Sequence, residues 1–159
     1  MKSSVQFERK EKLIAQNRKA RFDFEITQVV EAGIVLLGTE VKSLREGKAN
    51  MQDSYAAFLP KDSNELYVIN LHINPYSHGN RENHEPKRNR KLLLNERELK
   101  KLRTATSEKG ITLIPLSLYF SGAFVKIEIG LAKSKKKYDK RESTKERETE
   151  REIRRKFKA

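Results

Sequence analysis

Cysteine and tryptophan are absent from this chain of 159 residues, and its apolar runs are short. Without cysteine the chain can form no disulfide, no thiolate metal site and no thiol nucleophile. No apolar run approaches the roughly 20 residues of a membrane-spanning helix, and residues 1–12 lack the apolar core of a signal peptide. We therefore expect a cytoplasmic protein that makes no contact with a membrane.

The signatures of common enzymes are absent as well. The sequence contains no Walker loop, no GxSxG and no GxGxxG. His72 lies in an apolar run that suits a structural role, whereas His78 and His84 share a polar segment with Glu82 and Glu85. These four side chains lack the regular spacing of a metal site. We expect no catalytic activity, metal or cofactor, and a nuclease that uses Glu82, His84 and Glu85 is the enzymatic alternative.

Positive charge dominates the composition. The formal net charge is +13, from 35 Lys and Arg against 22 Asp and Glu. This excess favours a polyanionic partner such as nucleic acid, because phosphate contacts dominate the affinity of such complexes. Solvated surface charge explains most single lysines but not their clustering near predicted helix and strand ends. The clusters are Lys42, Arg45 and Lys48; Lys87, Arg88, Arg90 and Lys91; and Lys133, Lys135, Lys136 and Lys137.

Three tyrosines are candidates for stacking on nucleic-acid bases. Tyr138 has only polar neighbours, and Tyr76 lies in a polar segment. Tyr119 lies in a strongly apolar run, so its periodicity favours a core position over base stacking.

The first part of the chain predicts an arm, a hairpin and a helix. Residues 1–20 are basic with few apolar groups, which is typical of an arm. Apolar and polar residues alternate over 22–37, and Gly33 allows a turn, so we predict a hairpin there. Leu37, Val41 and Leu44 then recur at helical spacing and are expected to line the inner face of a helix that ends near Gly47.

Alternating apolar residues predict four further strands, at 55–59, 66–73, 112–120 and 123–131. In the second of these, Tyr67, Ile69, Leu71 and Ile73 are expected to share one face. Residues 74–91 hold almost no apolar group and predict a solvated loop.

The next helix has a complete start signal. Asn95 can cap it, Glu98 can reach back to the cap, and Gly110 marks its expected end.

Short antiparallel strands with a few helices predict a mainly β fold, and an OB-fold-like closed antiparallel barrel is the leading candidate. The expected organisation is a basic N-terminal arm at 1–20, the barrel at 21–132 and a basic tail at 133–159. The tail holds 13 Lys or Arg against 6 Asp or Glu and few apolar residues, so we expect it to be disordered when free. Its charges are nevertheless spaced for a helix that could form on an anion, with a basic stripe of Arg147, Arg151, Arg154 and Lys158.

Several segments carry a family resemblance. They are EAGIVLLGTEVKSLR, the overlapping GTEVKSLREGKANMQDSYA at 38–56, the region from NPYSHGN to RKLLLN, KGITLIPLSLYF, and DKR at 139–141. Together they span nearly the whole chain. The sequence therefore resembles the small protein B (SmpB) family, whose members bind transfer-messenger RNA (tmRNA, or SsrA) in bacterial trans-translation.

The resemblance implies an RNA-binding adaptor without catalytic activity. Its barrel would hold the tRNA-like domain of tmRNA and, with the elongation factor Tu complex, deliver it to stalled ribosomes. Glu31, Leu93 and Asn95 match residues on the RNA face, so Asn95 has both a helix-capping and an RNA-binding interpretation. On the helix that contains Val41, Glu40 is expected to point outward with the basic residues. The complete predicted RNA-binding set is Glu31, Lys42, Arg45, Lys48, Arg88, Arg90, Lys91, Leu93 and Asn95.

The resemblance also implies a role for the tail. In similar proteins the tail occupies the empty decoding site and mRNA channel of the small ribosomal subunit and is helical there. The predicted ribosome-binding set is Lys133, Lys135, Lys136, Tyr138, Asp139, Lys140, Arg141, Arg147, Arg151, Ile153 and Phe157. The sequence departs from the family pattern at Ser134, where glycine is usual, and at Thr149, where an aromatic residue is usual. We expect a monomer, and a general OB-fold nucleic-acid-binding protein without a dedicated RNA partner is the alternative.

Overall fold

The computed structural model describes residues 12–79, 82–135, 145 and 147–152, and the fold is mainly β with short helices. The strands are β1 (Lys12–Gln16), β2 (Phe24–Ile34), β3 (Ala49–Asn50), β4 (Tyr55–Phe58), β5 (Leu66–Ile69), β6 (His72–Ile73), β7 (Arg90–Leu93), β8 (Ile111–Ser121) and β9 (Phe124–Ser134). The helices between them are α1 (Ala20–Asp23), α2 (Gly38–Arg45) and α3 (Glu96–Thr106). No helix in the described ranges is long and apolar enough to span a bilayer.

Seven strands form one antiparallel sheet in the order β1-β8-β4-β5-β7-β2-β9. Strands β8 and β9 also pair with each other, so six of the strands are hydrogen-bonded in a ring. Strands β3 and β6 form a separate pair. Alternate residues of the ring strands pack into the main apolar core, which includes the fully buried Leu66, Val68, Leu118 and Ile127.

Two N-terminal predictions are wrong. Residues 22–37 do not form a hairpin, because β2 runs unbroken through Gly33. Gly33 instead makes room for a neighbouring side chain: a Cβ at this position would lie 3.3 Å from the Cβ of Leu93. The expected arm also ends earlier than residue 20, since β1 pairs with β8 and α1 follows it. Pairing at a sheet edge requires little apolar sequence, which is why the composition of 1–20 did not indicate a strand.

Both predicted downstream hairpins are present, as β4–β5 and β8–β9. The inward face of the 66–73 segment differs from the prediction. Leu66 and Val68 are buried in β5, and after Asn70 the buried residues are Leu71 and Ile73. Asn70 has a φ of 62°, and this left-handed residue interrupts the strand. As a result, even-numbered residues face the core before Asn70 and odd-numbered residues face it afterwards.

The two predicted helices are confirmed with adjusted ends. Helix α2 buries Leu44 and is followed by Gly47 at a φ of +72°, although Leu37 is 49% exposed rather than inward. Helix α3 begins after Asn95 and ends at Thr106, before Gly110. Strand β9 continues to Ser134, beyond the predicted barrel boundary at 132.

Candidate nucleic-acid interface

Two of the residues that the family resemblance places on an RNA face lie on adjacent strands. The β2–β7 register pairs Gly33 with Leu93, and Glu31 is two residues from Gly33 on the same outer face of β2. Leu93 is 54% exposed because its side chain covers Gly33 instead of entering the core. The fold therefore brings Glu31 and Leu93 together from distant parts of the sequence.

The carboxylate of Glu31 is held by a tyrosine. The hydroxyl of Tyr119 on β8 donates a short hydrogen bond to Oε2 of Glu31. Tyr119 is buried, so its ring is not offered to a base. It lies outside the main apolar core, because the neighbouring Leu118 is the β8 residue that packs there. Burial raises the pKa of the Tyr119 hydroxyl, and the hydrogen bond and negative charge of Glu31, with the charge of Glu128, raise it further.

Asn95 serves as the N-cap of α3. Its Oδ1 accepts a hydrogen bond from the backbone amide of Glu98 at 2.8 Å, and its Nδ2 donates to the Glu98 carboxylate at 2.6 Å. The capping prediction is confirmed. Because Asn95 remains exposed, an RNA contact would have to use the remaining hydrogen-bonding capacity of the same amide.

Glu40 and Arg90 form a buried ion pair, which overturns two predictions. Neither residue has exposed surface, so Glu40 does not point outward and Arg90 does not present its guanidinium to RNA. Nε of Arg90 donates a short hydrogen bond to Oε2 of Glu40, and its Nη1 donates to the carbonyl of Leu71 at 2.6 Å. The pair therefore anchors the start of β7 to α2 and to the segment between β5 and β6.

Arg88 and the helix backbone complete the environment of Glu40. Oε1 of Glu40 accepts from Nη2 of Arg88 at 2.6 Å and from the backbone amide of Leu37 at 2.8 Å. Burial by itself would raise the pKa of Glu40. The hydrogen bonds from Arg88 and Leu37 and the charge of Arg90 more than offset burial, so the pKa lies below its ordinary value. Arg88, half-buried against Glu40, is thus also tied to the fold.

The described part of the 74–91 segment is largely exposed, but it is anchored to the rest of the fold. His84 is buried, with Nε2 2.9 Å from the carbonyl of Ile73 and Nδ1 2.9 Å from the hydroxyl of Thr39. Since a carbonyl only accepts, Nε2 is the donor, and in a neutral ring Nδ1 accepts from Thr39. The side chain of Ser43 also donates to the carbonyl of Asn74 at 2.6 Å. In the part of the chain that the structure describes, no group of three or more potential ligands could hold a metal ion.

The remaining predicted basic residues are on the surface. Lys42, Arg45 and Lys48 are exposed on α2 and in the segment after it, with Nζ of Lys42 5.5 Å from the centre of the Tyr76 ring. Nζ of Lys48 lies 3.6 Å from the carboxylate of Glu46. These three residues are on α2 and the segment after it, and not on the outer face of β2 and β7. Lys91 is on that face, with its Nζ 3.5 Å from the carboxylate of Glu65.

The described part of the tail begins inside the sheet. Lys133 is in β9, paired with Glu25 and Ile111, and the backbone amide of Lys135 donates to the carbonyl of Asp23 at 3.1 Å. Ser134 is extended in β9, so the chain makes no turn at the position where the family has glycine. The predicted tail residues outside the described ranges are Lys136, Tyr138, Asp139, Lys140, Arg141, Ile153 and Phe157.

Residues 147–152 are helical. The expectation that the tail is disordered when free stays a prediction. The guanidinium of Arg147 lies 5.5 Å from the centre of the Phe22 ring, and the hydroxyl of Thr149 donates to the carbonyl of Lys145 at 2.8 Å. Arg151 is exposed in the same helical stretch. The formation of a tail helix on the ribosome stays a prediction.

Comparison with known proteins identifies the family. A family model described as "SmpB protein" matches residues 14–159. This chain belongs to the SmpB family. Among SmpB relatives, the SsrA-binding protein of Carboxydothermus hydrogenoformans is 56% identical over 143 residues, covering 90% of this chain and 94% of that protein. The SsrA-binding protein of Geobacillus thermodenitrificans is 53% identical over 146 residues, covering 92% of each.

A solved SmpB-family structure has the same fold. Its chain, described as "tmRNA-SmpB: a journey to the center of the bacterial ribosome", is 45% identical and superposes with a TM-score of 0.66. The alignment covers 82% of this chain and 93% of that one.

The sequence did not predict two of the side-chain pairs in this candidate site. Tyr119 and Glu31 are 88 residues apart, and no local pattern connects them. The burial of Arg90 did leave a signal, because Arg90 is two residues before the apolar Leu92 and therefore shares its face of β7. The high density of basic residues in 87–91 concealed that alternation.

Proposed function

We propose that this protein is an RNA-binding adaptor that binds the tRNA-like domain of tmRNA and delivers it to stalled ribosomes for trans-translation. The observation that carries the proposal is the common outer face of Glu31 and Leu93, which the family resemblance connects with RNA, in a chain that belongs to the SmpB family. The names of the relatives, SsrA-binding protein, support the same RNA partner.

The proposed adaptor acts in the cytoplasm as a monomer, together with the elongation factor Tu complex. It needs no cofactor and catalyses no reaction. The ring of six strands serves as an OB-like closed barrel, a scaffold that in other proteins presents a strand face and loops to oligonucleotides. The tail occupies the empty decoding site and mRNA channel of the ribosome.

Competition binding tests the RNA preference. The full chain should bind the tRNA-like domain of tmRNA more tightly than an unrelated tRNA or a single strand at the same moderate salt concentration. Leu93→Ala should weaken that binding, whereas Val29→Ala, which truncates a 44% exposed residue elsewhere on β2, should not. Equal affinity for all three RNAs would instead favour a general nucleic-acid-binding protein.

Truncation tests the proposed division between barrel and tail. Because β9 ends at Ser134 and Lys135 is bonded to Asp23, the deletion should begin at residue 136. The truncated protein should keep its thermal stability and its affinity for the tRNA-like RNA but should lose ribosome rescue. Parallel loss of RNA binding and rescue in a folded truncated protein would contradict this division.

A further inference from the structure

An exposed apolar cluster lies at one end of the outer sheet face, where β2, β7 and β9 meet. Phe124 is 72% exposed at the start of β9, Leu93 is 54% exposed on β7, and Val35 is 44% exposed just after β2. Single exposed apolar residues are common on protein surfaces. Three of them on one face form a patch of the kind that marks a binding site.

The strand register places the three residues close together. Phe124 and Lys126 share the outer face of β9, Lys126 pairs with Gly33, and Gly33 pairs with Leu93. Given a strand spacing of ~4.8 Å and a rise of ~3.4 Å per residue, the Cα atoms of Phe124 and Leu93 are about 12 Å apart. Val35 belongs to the same region, because its amide donates to the carbonyl of Lys91 at 2.9 Å.

Two lysines interleave with the apolar cluster. Lys126 lies beside Phe124 on β9 and forms no ion pair with any residue in the described ranges. Lys91 lies beside Leu93, and its contact with Glu65 joins two partly exposed side chains, so solvent screens it. An exposed aromatic ring beside lysines is the chemistry that binds unpaired nucleotides, with the ring stacking on a base and the lysines contacting phosphates.

We propose that Phe124 stacks on an unpaired base of the bound RNA and that Lys126 contacts a neighbouring phosphate. This inference rests on the proposed RNA-binding function and extends the site from Glu31 and Leu93 to the tip of the β8–β9 hairpin. It also makes part of the recognition specific for an unpaired nucleotide, since a base inside a duplex has no free face for the ring.

Substitutions at Phe124 in the full chain test the stack. Fluorescence anisotropy with the tRNA-like domain of tmRNA at fixed salt should show that Phe124→Ala lowers affinity roughly 5- to 150-fold, the effect of losing one base stack. Phe124→Trp should stay within about twofold of the unsubstituted protein because it keeps a ring. Phe124→Leu, which is apolar without a ring, should resemble Phe124→Ala. Since Phe124 is largely exposed, the thermal midpoint should be the same in all three variants.

Two controls make the test specific. Val29→Ala removes exposed apolar surface from the far end of the same face and should leave RNA affinity unchanged. A duplex RNA without unpaired bases should bind the unsubstituted protein and Phe124→Ala equally well.

Several results would overturn the stack. One is unchanged RNA affinity in Phe124→Ala or full affinity in Phe124→Leu, and another is an equal loss of affinity for duplex RNA in Phe124→Ala. If Phe124→Ala instead loses ribosome rescue with intact RNA binding, Phe124 makes a ribosomal contact. If Leu93→Ala weakens binding and Phe124→Ala does not, the stack fails but the adaptor function stands. If the unsubstituted protein shows no preference for the tRNA-like RNA, the adaptor function itself fails.

Discussion

At the scale of single residues, Glu40 has the most constrained environment of the charged groups on α2. It is fully buried and its two oxygens accept from Arg88, Arg90 and the amide of Leu37. A buried carboxylate is tolerated only when its charge is paired and its oxygens are hydrogen-bonded, and Glu40 meets both conditions. One side chain thereby fixes the start of α2 and its attachment to β7.

Glu40→Gln should destabilise the protein strongly, because it leaves the guanidinium of Arg90 buried without its counter-charge. We expect the free energy of unfolding at neutral pH to fall by about 3–5 kcal/mol, measured by urea denaturation. Glu46→Gln is the matched control, since Glu46 is an exposed partner of Lys48 and should change stability by less than about 0.5 kcal/mol. Similar effects of the two substitutions would show that the buried pair is unimportant.

The stabilisation by Glu40 should also depend on pH. The pKa of Glu40 in the folded protein lies below the ordinary value of 4.5, so the folded state favours the ionised form. This contribution is present above the unfolded-state pKa and is lost as the pH falls through the folded-state pKa. The stability difference between the unsubstituted protein and Glu40→Gln should therefore shrink as the pH is lowered below about 4.5, provided that both remain folded.

At the scale of elements, helix α3 shows how a local signal specifies a boundary. Asn95 and Glu98 are three residues apart: the Asn95 side chain accepts from the backbone amide of Glu98, and the two side chains also bond to each other, so no distant partner is needed. Sequence alone therefore located the start of α3. The end was less well specified, because the chain leaves the helix at Thr106 and reaches the left-handed Gly110 only afterwards, at a φ of +89°.

Substitutions at Asn95 should separate its two interpretations. Asn95→Ala removes the cap and should cost about 1 kcal/mol in unfolding free energy, whereas Asn95→Ser keeps a capping oxygen and should cost only a few tenths. If Asn95 also contacts RNA through its amide, both variants should lose affinity for the tRNA-like RNA, although only one loses stability. A Ser variant with full RNA affinity would restrict Asn95 to its capping role.

At the scale of the whole molecule, charge and fold make separate contributions. The net charge of +13 attracts any polyanion over a long range, but it carries no information about RNA shape. The exposed Lys42, Arg45 and Lys48 are suited to phosphate contact, whereas Arg90 contributes to the count of positive charges but is fully buried. The number of basic residues therefore overstates the number available to RNA.

Salt dependence should distinguish phosphate contacts from remote charge. For binding to the tRNA-like RNA, the logarithm of the association constant should fall linearly with the logarithm of the salt concentration. If Arg45 contacts a phosphate, Arg45→Ala should reduce the magnitude of this slope by about 1. Lys101→Ala, which removes an exposed charge from α3, is the matched control and should leave the slope nearly unchanged. Equal changes in both variants would indicate that only the overall charge matters.

The sequence predicted much of the fold but less of the candidate site. The strands with clear alternation, β4, β8 and β9, and the helices with clear start or stop signals, α2 and α3, were located correctly. Strand β1 was missed because its pairing at the sheet edge leaves no apolar pattern, and Gly33 was taken for a turn residue when its role is to admit Leu93. In each miss the determining neighbour lies on another strand.

The sequence by itself determined the family, the alternation of the main strands and the capping of α3, because these depend on motifs or on residues a few positions apart. The tertiary structure decided which charged and apolar residues are available to a partner. Arg90 is buried because Glu40, 50 residues away, neutralises it, and Glu31 is oriented by Tyr119, 88 residues away. Leu93 is exposed because the facing residue on β2 is a glycine. The free energy of burying a charge or exposing an apolar group depends on such distant partners, and only the folded chain brings them together.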